Sequence, residues 1–221
     1  MLAKRLINQL STSIDYEESM ISKLKQACGL VYTNKLQQMF QDVNISTNLS
    51  DQYRTYCENN KIYNTSINID FSVMVLSTSA WPFSAPAEFV LPFELKITCD
   101  NFIKFYNQQH NGRKLTWLYQ RSNGDLQILY TKSNYILHVS TYQMAILLVF
   151  NKFPKWTIEK MQDETQLKVD VFFPIICDLL KSKLIICPEI KDDDNTKEVF
   201  NEADIKVNYH IQIADDFTSV N

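Results

Sequence analysis

The spacing of apolar residues changes period twice along the chain. Residues 18–29 place Met20, Ile21, Leu24, Ala27 and Cys28 at helical intervals, with Lys23, Lys25 and Gln26 on the other faces. Gly29 fits the left-handed residue that follows a helix end. A second helix carries Leu36, Met39, Phe40 and Val43 on one face. Two such helices cannot bury their stripes alone, so residues 1–60 are predicted to be part of a helical bundle, with the polar stretch 59–66 as a linker.

From residue 67 the period shortens to two. Ile67, Ile69, Phe71, Val73 and Val75 alternate with Asn68, Asp70, Ser72 and Met74, the pattern of a half-buried strand. Pro82 and Pro86 interrupt it, and Leu91-Pro92 opens a helix with Leu95, Phe102, Phe105 and Tyr106 on its face. After Gly112 a strand is predicted over 114–121. Asn123-Gly124 is the hairpin signal, since both residues accept positive φ, and Leu126, Ile128 and Tyr130 form the return strand. A further strand covers about Tyr135 to Val139. Residues 61–140 therefore read as an α+β domain, an antiparallel sheet covered by the helix at 92–109.

The helical period returns at Thr141, the predicted cap of a largely apolar helix through Phe150; Thr157 caps a second, ending near Thr165. Residues 168–182 form a third, with Val169, Phe172, Phe173, Ile176, Leu179 and Leu180 inward. Pro174 removes a backbone donor there, which a helix starting near Asp170 can hold. Leu184 to Cys187 and Ile205 to Ile213 read as strands flanking an acidic loop. Three helices followed by a hairpin is the winged-helix order, so residues 141–221 are predicted to be a winged-helix-like domain and the whole chain is of the α+β class.

Composition narrows the function. Hydrophobic residues make up 45% and charged residues 21% of the 221, enough to build a real core. The longest apolar run, Met144 to Phe150, is far short of the roughly 20 residues that span a bilayer, and the N-terminal residues lack the pattern of a secretory signal, so no membrane association is predicted. The cysteines, Cys28, Cys57, Cys99, Cys177 and Cys187, are odd in number and form no Cys-x-x-Cys pair; they read as reduced thiols of an intracellular protein. Three Asn-x-Ser sequons, at Asn44, Asn48 and Asn64, are then silent. Residues 189–221 carry three basic and nine acidic groups, and no segment is basic enough for bulk phosphate binding.

Candidate chemistry is sparse. With Gly29, Gly112 and Gly124 as the only glycines, neither common phosphate-binding loop can be built. His110, His138 and His210 lie far apart in sequence with no partner at metal-ligand spacing, so no metal and no cofactor is expected. No local Cys–His pair supports a nucleophile, and Glu17, Glu18, Glu88 and Glu94 sit beside helix starts, where acids suit the macrodipole. No catalytic residue is assigned, and the chain is expected not to be an enzyme. A winged helix raises nucleic-acid binding as an alternative, with Lys168, Lys181 and Lys183 near phosphate. The reading helix, however, carries Asp170 and Asp178 and no Asn, Gln or Arg to read base edges. Lys4, Arg5, Lys23, Lys25 and Lys35 form a basic set that is either ordinary helix-surface charge or a patch steering an acidic partner.

Ordered blocks along the chain carry a resemblance. They are Met1 to Leu6 (MLAKRL), Ser19 to Gly29 (SMISKLKQACG), Tyr32 to Asp42 (YTNKLQQMFQD), Val75-Leu76-Ser77 with Trp81-Pro82-Phe83, Leu91-Pro92 with Glu94-Leu95, His110 to Tyr119 (HNGRKLTWLY), Ser140 to Asn151 (STYQMAILLVFN) and Leu179 to Leu184 (LLKSKL). Together, over about residues 1–187, they resemble the C-terminal region of the cullins, scaffold proteins of RING-type ubiquitin ligases, and most of all cullins of the SCF type. The resemblance implies a helical bundle, an α+β domain and a winged helix, in that order. It implies a scaffold that binds a RING-box protein and helps position a ubiquitin-conjugating enzyme for ubiquitin-dependent protein degradation, in cytoplasm and nucleus. The sheet would capture the RING-box protein's N-terminal strand, with Phe71, Val73, Val75, Trp117 and Tyr119 as the partner-binding residues. The set Lys4, Arg5, Lys23, Lys25 and Lys35 resembles the basic surface that draws the enzyme's acidic tail. The family's N-terminal repeats and its lysine acceptor for a ubiquitin-like modifier have no counterpart in these residues, so the chain reads as a scaffold fragment of a cullin, with a truncated, non-productive paralogue as a further alternative. Residues 188–221 match poorly.

Overall fold

The computed structural model describes residues 2–8, 13–62, 69–84, 89–130, 135–190 and 205–214. In chain order the elements are helices α1 (Leu2–Ile7), α2 (Ile14–Cys28), α3 (Leu30–Asn59) and α4 (Phe93–Gln109), then a 3-10 turn (Tyr119–Arg121), strands β1 (Asn123–Ile128) and β2 (Tyr135–Ser140), and helix α5 (Thr141–Val149). Strand β3 (Lys155–Thr157), helices α6 (Ile158–Thr165) and α7 (Val169–Lys181), and strands β4 (Ile185–Ile186) and β5 (His210–Ile213) follow. The strands form two small antiparallel sheets, β1-β2 and β3-β5-β4, and the α+β class holds. The chain divides into two compact units, Met1–Ser84 with Ile97–Lys114, and Ala85–Lys96 with Leu115–Asn221.

In the first unit α2 begins at Ser13, whose hydroxyl accepts the Asp15 N–H at 3.1 Å, and ends at Gly29, where φ is +82°. Its apolar stripe is buried at Ile21 and half-buried at Met20 and Leu24, while Ala27 and Cys28 are exposed. Small side chains forfeit little burial energy in the last turn. Leu2, Leu6, Ile21, Met39, Phe40 and Val43 pack with Ala80 and Trp81 into one core. Further along α3, Tyr53 meets Phe102 and Phe105 of α4 at ring-centroid distances of 5.1 and 5.3 Å, and Phe71 at 6.1 Å. The helix faces expected at 36–43 and at Phe102, Phe105 and Tyr106 are those observed. The strand expected over 67–76 differs. Residues 67 and 68 lie outside the described residues, and 69–77 join no sheet. Their backbone partner is a helix.

In the second unit the hairpin is β1–β2, with Asn123 opposite Ser140 and Ile128 opposite Tyr135. Asn123-Gly124 is therefore not a turn but the start of β1. The glycine serves packing instead: a Cβ there would meet Met144 Cε of α5 at 2.8 Å. The strand expected over 114–121 differs: residues 114–118 are not assigned to a strand, and 119–121 form the 3-10 turn. Helix α5 is capped by Ser140 rather than Thr141. Ser140 accepts from the Gln143 N–H at 3.2 Å while Gln143 Oε1 accepts from the Ser140 N–H at 2.9 Å, a reciprocal capping box. Thr157 caps α6 as expected. α7 starts at Val169, which places Pro174 so that only the Asp170 carbonyl loses its bond. Ile146, Ile158, Met161, Phe172, Ile176 and Ile211 centre the core and are fully buried. The acidic run Asp192-Asp193-Asp194 lies outside the described residues.

Candidate partner-binding edge

Asp42, Ser46 and Ser50 recur every four residues, so they share one face of α3. The chain returning at 73–77 lies along that face. Asp42 Oδ2 accepts from the Ser77 N–H at 2.8 Å, the Ser77 hydroxyl at 2.7 Å and the Trp81 indole N–H at 2.8 Å. Ser46 Oγ accepts the Val75 N–H at 2.8 Å, and its own proton faces the Asp42 carbonyl at 2.6 Å, with the Val75 carbonyl at 3.2 Å. Ser50 Oγ donates to the Val73 carbonyl at 3.1 Å and accepts the Val73 N–H at 3.4 Å.

This is a ladder between a helix and an antiparallel extended chain. Four helical residues advance about 6 Å and two strand residues about 6.6 Å, so the two repeats run nearly in step. The residual mismatch falls on the far rung, where the N–H bond lengthens from 2.8 to 3.4 Å. Because alternate residues Val73, Val75 and Ser77 face α3, the backbone groups of Ser72, Met74 and Leu76 face the other way. Among the described residues these three have no hydrogen-bond partner. The side chains of Met74 and Leu76 pack on the α1–α3 core, and Phe71 packs on Tyr53 and Phe102.

The other expected partner residues lie in the second unit. Leu115 and Trp117 are half-buried around an exposed Thr116, so the alternation is present there although these residues are not assigned to a strand. The Tyr119 ring stands edge-on to Phe89 at 5.0 Å, and Phe89 to Tyr142 at 5.0 Å.

Of the basic set, Lys4, Lys23, Lys25 and Lys35 are exposed, and Lys35 lines an open groove of about 370 Å³ with Tyr32, Leu36, Met39 and Trp81. Arg5 is committed elsewhere: its Nε and Nη2 donate to the two carboxylate oxygens of the buried Glu17 at 2.9 and 2.7 Å. This bidentate pair neutralises both charges. Lys168, Lys181 and Lys183 are exposed, but Asp170 and Asp178 are exposed on the same helix as Lys181, so α7 presents no face of one sign.

Cys57, Cys99, Cys177 and Cys187 are buried and Cys28 is exposed. Burial, reinforced by Asp100, pushes the Cys99 thiol up to about 12, and burial raises Cys187 too, the opposite of nucleophile activation. Glu189 joins Cys187 Sγ, at 3.5 Å, to His210 Nδ1, at 2.7 Å. Among the described residues no group of three or more His, Cys, Asp or Glu could hold a metal ion, and no helix is long and apolar enough to cross a membrane.

Family models match most of this chain: the cullin alpha+beta domain over residues 75–211 and the cullin alpha solenoid domain over residues 1–50. It is 45% identical over 198 residues to Cullin-1 of Dictyostelium discoideum, a match covering 88% of the chain and 26% of that protein. It is 38% identical over 216 residues to Cullin-1 of Schizosaccharomyces pombe, covering 96% and 27%, and 35% identical over 189 residues to Cell division control protein 53 of Saccharomyces cerevisiae, covering 84% and 23%. The chain thus spans about a quarter of the length of the curated relatives it matches.

Proposed function

The chain belongs to the cullin family, and on that premise we propose that it is a non-catalytic scaffold portion of a cullin-RING ubiquitin ligase that binds a RING-box protein by strand addition. The observation that carries this reading is the open backbone edge at Ser72, Met74 and Leu76, opposite the rungs to α3. An extended chain with one edge satisfied and the other bare is a template for a further strand. The side chains of Phe71 and Tyr119 are already engaged in the chain's own aromatic packing, so main-chain bonds supply most of the attraction.

The exposed lysines Lys4, Lys23, Lys25 and Lys35 support a second role, the long-range attraction of an acidic segment of the ubiquitin-conjugating enzyme. Arg5 contributes structure to this surface rather than free charge. The scaffold acts in cytoplasm and nucleus and does its work by positioning.

The test is co-expression of the whole chain with a RING-box protein, either intact or lacking its N-terminal strand. Strand addition predicts recovery of the intact form alone. Equal recovery of the two forms overturns the mode of binding, and recovery of neither overturns the scaffold role.

A further inference from the structure

We infer that Ser46 and Ser50, with Asp42, are positioning residues that hold residues 72–76 extended and in register before the partner strand arrives. The inference rests on the strand-addition reading above and deepens it. An isolated extended chain is costly to order, because each residue fixed loses about 1–2 kcal/mol of backbone freedom. In a sheet a neighbouring strand offsets that cost. Here α3 does, through side chains. A hydroxyl is the group suited to the task, since one oxygen can accept an N–H and donate its own proton. Ser50 does both with Val73, and Ser46 accepts from Val75. Ser46 is also almost wholly buried, and with its proton directed to the Asp42 carbonyl its oxygen is left to accept the Val75 N–H.

The register argument is independent of the individual bonds. Every rung takes an odd-numbered residue of the strand, Val73, Val75 or Ser77. A slip by one residue would turn the backbone groups of Ser72, Met74 and Leu76 onto α3 and withdraw them from a partner. The rungs therefore decide which residues recruit. Asp42 sets the end of the register by gripping Ser77 and, through the Trp81 indole, the turn beyond it. A preset edge binds more tightly because less ordering remains for the moment of association.

Hydrogen exchange of individual amides in the full chain reads this out directly. In the free protein Val73, Val75 and Ser77 should exchange at least about tenfold more slowly than Ser72, Met74 and Leu76, an alternation that only a one-sided ladder produces. Adding the intact RING-box protein should protect Ser72, Met74 and Leu76 as well. In the Ser46→Ala/Ser50→Ala variant the alternation should vanish at Val73 and Val75, and affinity for the RING-box protein should fall roughly tenfold, the equivalent of about 1.4 kcal/mol. Ser50→Thr, which restores the hydroxyl to a Ser50→Ala background, should recover both; a loss of general stability would not be rescued so locally. The single Ser50→Ala variant, at a half-buried position, covers the case in which the double variant fails to fold. Uniform exchange across 72–77 in the free chain, or undiminished affinity in a folded Ser50→Ala or double variant, would overturn the inference. If the unaltered chain shows the alternation but binds a RING-box protein lacking its strand equally well, the strand-addition reading fails while the ladder stands.

Discussion

Residues 69–77 and β1 share the same alternating pattern and reach opposite outcomes. β1 pairs with β2 through a regular antiparallel register from Asn123–Ser140 to Ile128–Tyr135. The 69–77 segment is not assigned to a strand, and its residues Val73, Val75 and Ser77 are bonded to the side chains of a helix. Alternation in sequence thus reports an extended chain with two different faces; it does not report what satisfies the backbone. β1 has its partner close by in sequence, in the next strand, whereas 69–77 meets a polar stripe on α3, and the difference leaves it with an edge to offer.

The largest expected effect comes from cutting the helix-held segment loose. Asp42→Ala removes the acceptor for two N–H groups and a hydroxyl, including the indole N–H of the buried Trp81. Unsatisfied buried donors and the lost charge-assisted bonds should lower stability by about 3 kcal/mol in chemical denaturation. Asp42→Asn keeps a neutral acceptor and should lose about half as much. If both variants unfold at the same denaturant concentration as the unaltered chain, Asp42 is not what fastens the segment.

A smaller effect is expected where a strand hands over to a helix. Ser140 closes β2 and caps α5 in a reciprocal box with Gln143. Ser140→Ala should cost about 1 kcal/mol, measured in the same denaturation experiment. Ser140→Asp, which keeps an acceptor at the helix N-terminus, should cost less. Smaller still is Gly124→Ala. The added Cβ meets only the flexible end of Met144, which can give way, so the loss should stay below about 1 kcal/mol. A much larger loss would mean that Gly124 has a backbone role after all.

The helices were legible because their apolar faces are long and their caps local. The residues of the 36–43 stripe and of the Phe102–Phe105–Tyr106 face repeat within a few residues of one another, and Thr157 caps an N–H only three residues on. What the pattern missed depended on distant contacts. Gly124 looked like a turn because a glycine that admits positive φ and one that admits a close neighbour are the same letter, and the neighbour, Met144, lies twenty residues on. Ser140 and Thr141 are both cap candidates in sequence, and it is Gln143, at the capping-box spacing from Ser140, that decides between them. The ladder was readable in part: Asp42, Ser46 and Ser50 repeat every four residues beside the buried Met39, Val43, Leu49 and Tyr53, and a polar stripe inside an apolar face calls for a partner. Arg5 is indistinguishable from the neighbouring lysines in sequence because its acidic partner, Glu17, is twelve residues away.

The smallest effect sharpens the comparison through pH. Asp42 and Glu189 are both carboxylates that hold a backbone N–H together with a ring nitrogen. Asp42 takes Ser77 N–H and the Trp81 indole; Glu189 Oε1 takes His210 N–H at 3.2 Å and lies 2.7 Å from His210 Nδ1. Glu189 is the more open of the two, so its bond matters locally to the β4–β5 end and little to the whole. The His210 hydrogen bond lowers the Glu189 carboxyl from its ordinary 4.5 to about 2. A carboxyl held below its unfolded value stabilises the folded state only while ionised. Its contribution is therefore complete above about pH 4.5 and is lost as the pH falls toward 2. Amide exchange at His210 and Ile211 should quicken across that interval in the unaltered chain. In Glu189→Gln it should already be faster at neutral pH, with a weaker additional response to acid. If acid loosens those amides equally in both proteins, the carboxylate is not what holds β5 at this end, and the likeness to Asp42 is one of geometry alone.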